Sequence, residues 1–245
     1  MKGKKKLSVY VFEASGHFNP MIPIIQLFME HNFEVHLTGS ALLKKQCDEQ
    51  HWVFHSMTDE ENNVVDFHSY HPNHPDMPLC TLPATCALLP KLLADARKLQ
   101  ADVLFYDMFL AFAKIIGRVL RTPSICSCPT FLLSKSMADR ILAFNGVTEM
   151  DAFNKQCAKE LERTYGVRFE LQDCWGYYDQ NVVVHSIPEL EDESWDEQKK
   201  PANVCYVGLL LERSLNIFRL TFLVFMKMVF YYYMYFYFAN RMNNS

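Results

Sequence analysis

Ser15-Gly16-His17-Phe18-Asn19-Pro20 decides the fold. The apolar run Leu7 to Phe12 leads into it and reads as a short buried strand. Met21 to His31 follows, rich in Ile, Leu, Phe and Met, and reads as a buried helix. The hexapeptide is therefore a strand-to-helix turn. Asn19 takes the N-cap position and Pro20 the first helical position. Gly16 gives the backbone freedom to turn tightly. His17 is left at the carboxyl end of the first strand, where open α/β sheets bind ligands, and an imidazole there can take a proton near neutral pH. One histidine is not a constellation, so the rest of the chain must supply its partners.

Outward from the turn, the pattern repeats. Phe33 to Leu37 alternates like a strand, Ala41 to Gln50 is a short polar helix, and Trp52 to Phe54 is a third strand. Leu88 to Leu99 has helical apolar spacing. Ala101 to Asp107 is a buried strand ending on a carboxylate, and Phe109 to Leu120 is helical until Thr122-Pro123. Ser124 to Cys128 is a fifth strand; Lys135 to Tyr165 is mostly helical and closed by Gly166. Asn181 to His185 and Val204 to Val207 are further strands. Alternating strands and helices predict a doubly wound, Rossmann-like parallel sheet with helices on both faces, in the order 3-2-1-4-5. In that order the first and fourth strands are neighbours. His17 and Asp107 then meet in one crevice, where a carboxylate orients an imidazole and favours its protonated form. Asp107 also suits the N-cap of the helix from Phe109, and both roles are compatible.

Composition narrows the chemistry. The 245 residues are 50% hydrophobic and carry a net charge of −4, with no basic stripe, which argues against nucleic acid as the main partner. The basic start, Lys2 to Lys6, precedes an apolar run too short for a signal peptide, so a cytoplasmic chain is expected. The eight cysteines form no CxxC pair and no zinc-finger spacing, so free buried thiols are expected. Thr58 to Leu79 is acidic, then rich in His and Pro. His68, His71 and His74 are spaced by three, but Pro72 and Pro75 prevent a regular helix from aligning them, and an exposed loop is the reading. No GxGxxG follows the first strand, and neither GxxxxGK[ST] nor GxSxG occurs.

These residues carry a resemblance. Gly16-His17-Phe18-Asn19-Pro20, Pro23 and Glu34-Val35 resemble the opening of UDP-glycosyltransferases of the GT-B fold, in the macrolide-glycosyltransferase-like branch. Ala101 to Asp107, Arg121-Thr122-Pro123-Ser124, Tyr165-Gly166-Val167, Val182 to Ser186 with Pro188-Glu189-Leu190, and Tyr206-Val207-Gly208 follow in family order, from about Leu7 to Arg213. The resemblance implies an inverting, metal-independent transfer of a hexose from a UDP-sugar to a hydroxyl of a lipophilic small molecule, with UDP-sugar as substrate and no cofactor. It implies His17 as the base on the acceptor hydroxyl and Asp107 as its partner. Gly16, Phe18, Asn19, Phe109, Thr130 and Phe131 would bind substrate, with 66–79 and Leu132 also lining the pocket. No metal is expected.

Residues 1–213 thus resemble the N-terminal acceptor domain alone, and the chain reads as truncated before the donor half. Leu215 to Ser245 is a hydrophobic tail dominated by Phe, Tyr, Met, Lys and Asn. Residues 215–239 are long enough to span a bilayer, at the cost of Lys227 near the middle. The alternative is a non-native extension of the kind AT-rich noncoding DNA would encode. Beside the transferase, a non-catalytic acceptor-binding module and a membrane-tethered subunit of a two-chain enzyme stand as alternatives.

Overall fold

The computed structural model describes residues 3–57, 81–130, 132, 139–140, 143, 150, 152–169, 181–188 and 203–208. The expectations for the histidine-rich stretch, for Phe131 and for the hydrophobic tail from 214 onward lie outside these residues.

The described chain runs β1 (Lys5–Tyr10), α1 (Ser15–Glu30), β2 (Phe33–Gly39), a 3-10 turn (Ala41–Leu43), α2 (Lys44–Gln50), β3 (Val53–Ser56), α3 (Thr81–Leu99), β4 (Val103–Asp107), α4 (Ala111–Leu120), β5 (Ser124–Cys128), α5 (Ala152–Tyr165), β6 (Asn181–Val184) and β7 (Asn203–Tyr206). The seven strands form one sheet in the order β3-β2-β1-β4-β5-β6-β7, with every pairing parallel. The expected order is present and two strands longer.

A parallel sheet must be covered on both faces, because its crossover helices lie there. Leu7 and Val9 of β1, Val35 and Leu37 of β2 and Phe105 of β4 pack with Met21 and Ile25 of α1 and Cys47 of α2. The alternate residues face the other way. Tyr10, Leu104, Tyr106, Cys126, Val182 and Val184 pack with Leu89 and Leu93 of α3, Ile115 of α4 and Leu161 of α5. The described cysteines, 47, 86, 126, 128, 157 and 205, are free thiols. Burial pushes Cys47 up to about 11 and Cys86 up to about 12, so neither is a ready nucleophile. Among the described residues, no helix is long and apolar enough to cross a membrane.

The start of α1 corrects the sequence expectation. The helix begins at Ser15 with Ala14 as N-cap, and Asn19, Pro20 and Pro23 lie inside it. The cap is made by backbone: the N–H groups of His17 and Phe18 both donate to the Ala14 carbonyl, each at 2.9 Å. Pro20 and Pro23 cannot donate to the carbonyls of Gly16 and Asn19, but both of those residues are exposed, where water can replace the lost donor. Gly16 is helical and not in the left-handed region. A Cβ there would meet nothing within 4 Å, so backbone freedom is not why the position is glycine. Glycine does act as expected at Gly166, where φ is +66° and the N–H donates to Glu162 to close α5.

Candidate active site

His17 enters the site from the first turn of α1, just past β1, and Asp107 is the last residue of β4. Because β1 and β4 are paired neighbours, Tyr10 against Tyr106, the two side chains converge at the carboxyl edge of the sheet. His17 Nδ1 lies 2.8 Å from Asp107 Oδ2. The Asp107 side chain is fully buried and that of His17 is 18% exposed. An ionised carboxylate only accepts. The imidazole therefore carries its proton on Nδ1, which donates to Asp107 and leaves Nε2 as the ring's acceptor.

Asp107 has a second bond. Its Oδ1 accepts the Phe109 N–H at 2.9 Å, while its carbonyl accepts the Leu110 N–H at 3.0 Å. The cap role expected for Asp107 is therefore displaced. Helix α4 starts at Ala111, with Leu110 as N-cap and no side-chain cap. The carboxylate instead braces the tight turn between β4 and α4, which fixes both its own oxygens.

Aromatic rings enclose the imidazole. Phe12 meets it edge-on at 5.0 Å, Phe109 lies against it at 4.9 Å, and Phe12 and Phe109 pack edge to face at 5.7 Å. Phe109 thus lies against the His17 ring. Phe12 is an addition that its place at the end of the first apolar run did not single out. Gly16 is exposed beside His17; Asn19 is exposed on α1 and Thr130 just past β5. Phe18 is a correction: it is 5% exposed and packs in the core, 6.4 Å from the Trp52 ring. With the helix starting at Ser15, Phe18 falls on the face shared by Met21 and Ile25, which is turned to the sheet. Leu132 is likewise fully buried in the core on the other face.

Two further polar contacts border the crevice. The Glu13 carboxylate, in the loop between β1 and α1, accepts from both the backbone N–H and the hydroxyl of Ser40, past the end of β2. Ser127, paired with Asp107 across β4 and β5, has its hydroxyl 3.0 Å from His185 Nε2. His185 directly follows β6, as His17 follows β1 after a longer turn. It is 1% exposed, its Nδ1 has no hydrogen-bond partner among the described residues, and burial pushes it down to about 4. It is held neutral, as suits a structural or hydrogen-bonding group rather than a base at neutral pH. Among the described residues, no group of three His, Cys, Asp or Glu side chains could hold a metal.

No family model matches the chain. The sequence is 22% identical over 177 residues to the uncharacterized UDP-glucosyltransferase YdhE of Bacillus subtilis strain 168, a match covering 66% of this chain and 42% of that protein. The crystal structure of the glycotransferase of kitacinnamycin superposes with a TM-score of 0.68 at 15% identity, covering 89% of this chain and 54% of its own. CalG4, the calicheamicin glycosyltransferase, gives 0.65 at 14% identity, covering 85% and 53%. The chain spans about half the length of these relatives. In sequence it is similar to a UDP-glucosyltransferase, and its seven-stranded unit has the fold found in about half of each of these two glycosyltransferases.

Proposed function

We propose that this chain provides the acceptor-binding half of an inverting, metal-independent glycosyltransferase. The donor is a UDP-sugar, bound as substrate by a second domain, and no cofactor takes part. The observation that carries the reading is the 2.8 Å contact between the half-open His17 and the sealed Asp107 at the edge where β1 meets β4. His17 Nε2 takes the proton of an acceptor hydroxyl. The oxygen attacks the anomeric carbon, the bond from that carbon to the diphosphate breaks, and UDP leaves with the electron pair on the opposite face. Asp107 holds the ring in the tautomer that leaves Nε2 free and stabilises the imidazolium that forms. The Phe12 and Phe109 rings suit a lipophilic, small-molecule acceptor. Gly16, with open space where a side chain would stand, lets the acceptor approach the helix backbone, and the exposed Asn19 and Thr130 supply polar contacts to it. The work is done in the cytoplasm, without nucleic acid.

The test joins the chain to a donor half. The chain is joined to the donor-binding domain of a relative such as YdhE, and transfer from UDP-glucose to a panel of hydrophobic alcohols and phenols is followed. His17→Ala lowers kcat by about 10²- to 10⁴-fold, the range for a positioned base, with UDP-glucose affinity unchanged. Full activity in His17→Ala overturns the proposal. Acceptor binding that never leads to transfer, whatever donor domain is joined, favours a binding module.

A further inference from the structure

The face of β2 and β3 turned away from α1 carries a second polar cluster, apart from the His17–Asp107 pair. Glu34 and His36 alternate along β2 on the face turned away from α1, and His55 stands on β3 beside them. His36 Nε2 lies 3.0 Å from Glu34 Oε2, and His36 Nδ1 lies 2.9 Å from His55 Nε2. The two rings stack at 5.2 Å and 23°. His36 is 7% exposed, whereas His55 is open to solvent. Since a carboxylate only accepts, Glu34 takes the N–H of His36 Nε2, and Nδ1 is left with its lone pair toward His55. In the metal-free protein that lone pair accepts the N–H of His55 Nε2.

The geometry points to a bidentate site for a divalent transition-metal ion of the Cu²⁺ or Ni²⁺ type, held between His36 Nδ1 and His55 Nε2. Imidazole nitrogens sit about 2.0–2.1 Å from such an ion. Two of them 2.9 Å apart subtend an angle of about 90° at it. That is the cis angle of tetragonal or octahedral coordination, and is smaller than tetrahedral zinc prefers. On binding, the ion takes the place of the bridging proton, and the exposed His55 ring turns slightly and carries its single N–H on Nδ1 instead. Neither imidazole changes its net charge. Glu34 is the carboxylate that orients a ligating histidine through its other nitrogen. Among the described residues no third side-chain ligand joins the pair, so water fills the remaining positions. An ion held this way clips the edge strand β3 to β2.

The test uses the full-length chain without an affinity tag, titrated with NiCl₂ and CuCl₂ and, as a control, MgCl₂. Binding to the folded state alone raises the unfolding temperature. Nickel therefore shifts the midpoint upward and magnesium does not. His55→Gln, at an exposed position that folding tolerates, abolishes the shift, and Glu34→Gln weakens nickel binding about tenfold or more. The Cu²⁺ paramagnetic resonance spectrum shows coupling to imidazole nitrogens that His55→Gln reduces. A variant with His68, His71 and His74 all changed to Gln keeps the nickel shift. Loss of the shift in that variant, or its persistence in His55→Gln, overturns the site.

Discussion

A carboxylate sealed from water is costly unless each oxygen finds a donor, and Asp107 finds two. One donor is the Phe109 backbone, which belongs to the fold; the other is the His17 side chain, the proposed base. Asp107→Asn keeps the turn bond through its amide oxygen but removes the charge behind the ring. In the joined enzyme its kcat falls, but by less than in His17→Ala, because the base itself remains. His185 contributes a pH dependence to stability, because burial holds it neutral down to about 4 against an ordinary value of 6.5. Between those values the unfolded chain binds a proton that the folded chain refuses. The contribution is therefore complete above pH 6.5 and lost as the pH falls toward 4, about 3 kcal/mol in all. Urea midpoints at pH 7 and 4.5 show this loss in the parent chain, and His185→Gln flattens it. His17 and Asp107 were legible in the sequence because a strand end is easy to read and one topological rule places strand ends together. Phe18 was not, because a helix start misplaced by five residues assigns the wrong face. The Glu13–Ser40 bridge joins two loops 27 residues apart, and no local pattern announces it.

At the scale of one element, α1 shows why local preference misled. Two prolines four and seven residues after Gly16 argue for a later helix start, since proline prefers the first turn. The structure keeps them inside because the carbonyls they deprive lie on the exposed side, while Phe18, Met21 and Ile25 bury the other. The packing of that stripe outweighs two absent hydrogen bonds. Gly16 then occupies a helical position with free space around it. Gly16→Ala stabilises the chain by about 0.4–1 kcal/mol, measured as a higher denaturant midpoint at constant slope. The same methyl group narrows the approach to His17, so it weakens acceptor binding if that backbone lines the pocket. Gly39 behaves in the opposite way. A Cβ there would stand 2.7 Å from Leu43 Cδ1 and 3.0 Å from a Glu13 carboxylate oxygen. Gly39→Ala makes the ends of the Leu43 and Glu13 side chains give way and costs about 1 kcal/mol, the low end for overpacking.

For the whole molecule, the sheet is a partition between two cores. Ile25 is fully buried on the α1 side and Ile115 is 1% exposed on the α3–α4 side. Each change to Val costs about 0.5–1.5 kcal/mol. The two costs add to within about 0.5 kcal/mol in the double variant, because no side chain is shared between the two clusters. Chemical denaturation of the four proteins of the cycle checks this. Five of the seven strands and their order were legible as strand–helix alternation plus the common doubly wound order. The last two were legible as strands, but their places at the edge were not, since order along a chain does not fix order across a sheet.

The strand order also sets a timetable. β1 is paired on one side by β2, which follows it closely, and on the other by β4, which follows only after α3. On a ribosome, β1, β2 and β3 can assemble once Ser56 has emerged, while the partner for the second side of β1 ends at Asp107. At the usual pace of synthesis, those roughly fifty residues take about 3–10 s. For that interval the row of backbone donors and acceptors along Leu7 to Tyr10 stands open in the middle of the future sheet. Nascent chains arrested between these two points are the ones that should recruit chaperones and aggregate. Chains arrested beyond Asp107 should not, and a rare-codon pause placed after Ser56 should lower the yield of folded protein more than the same pause placed after Asp107.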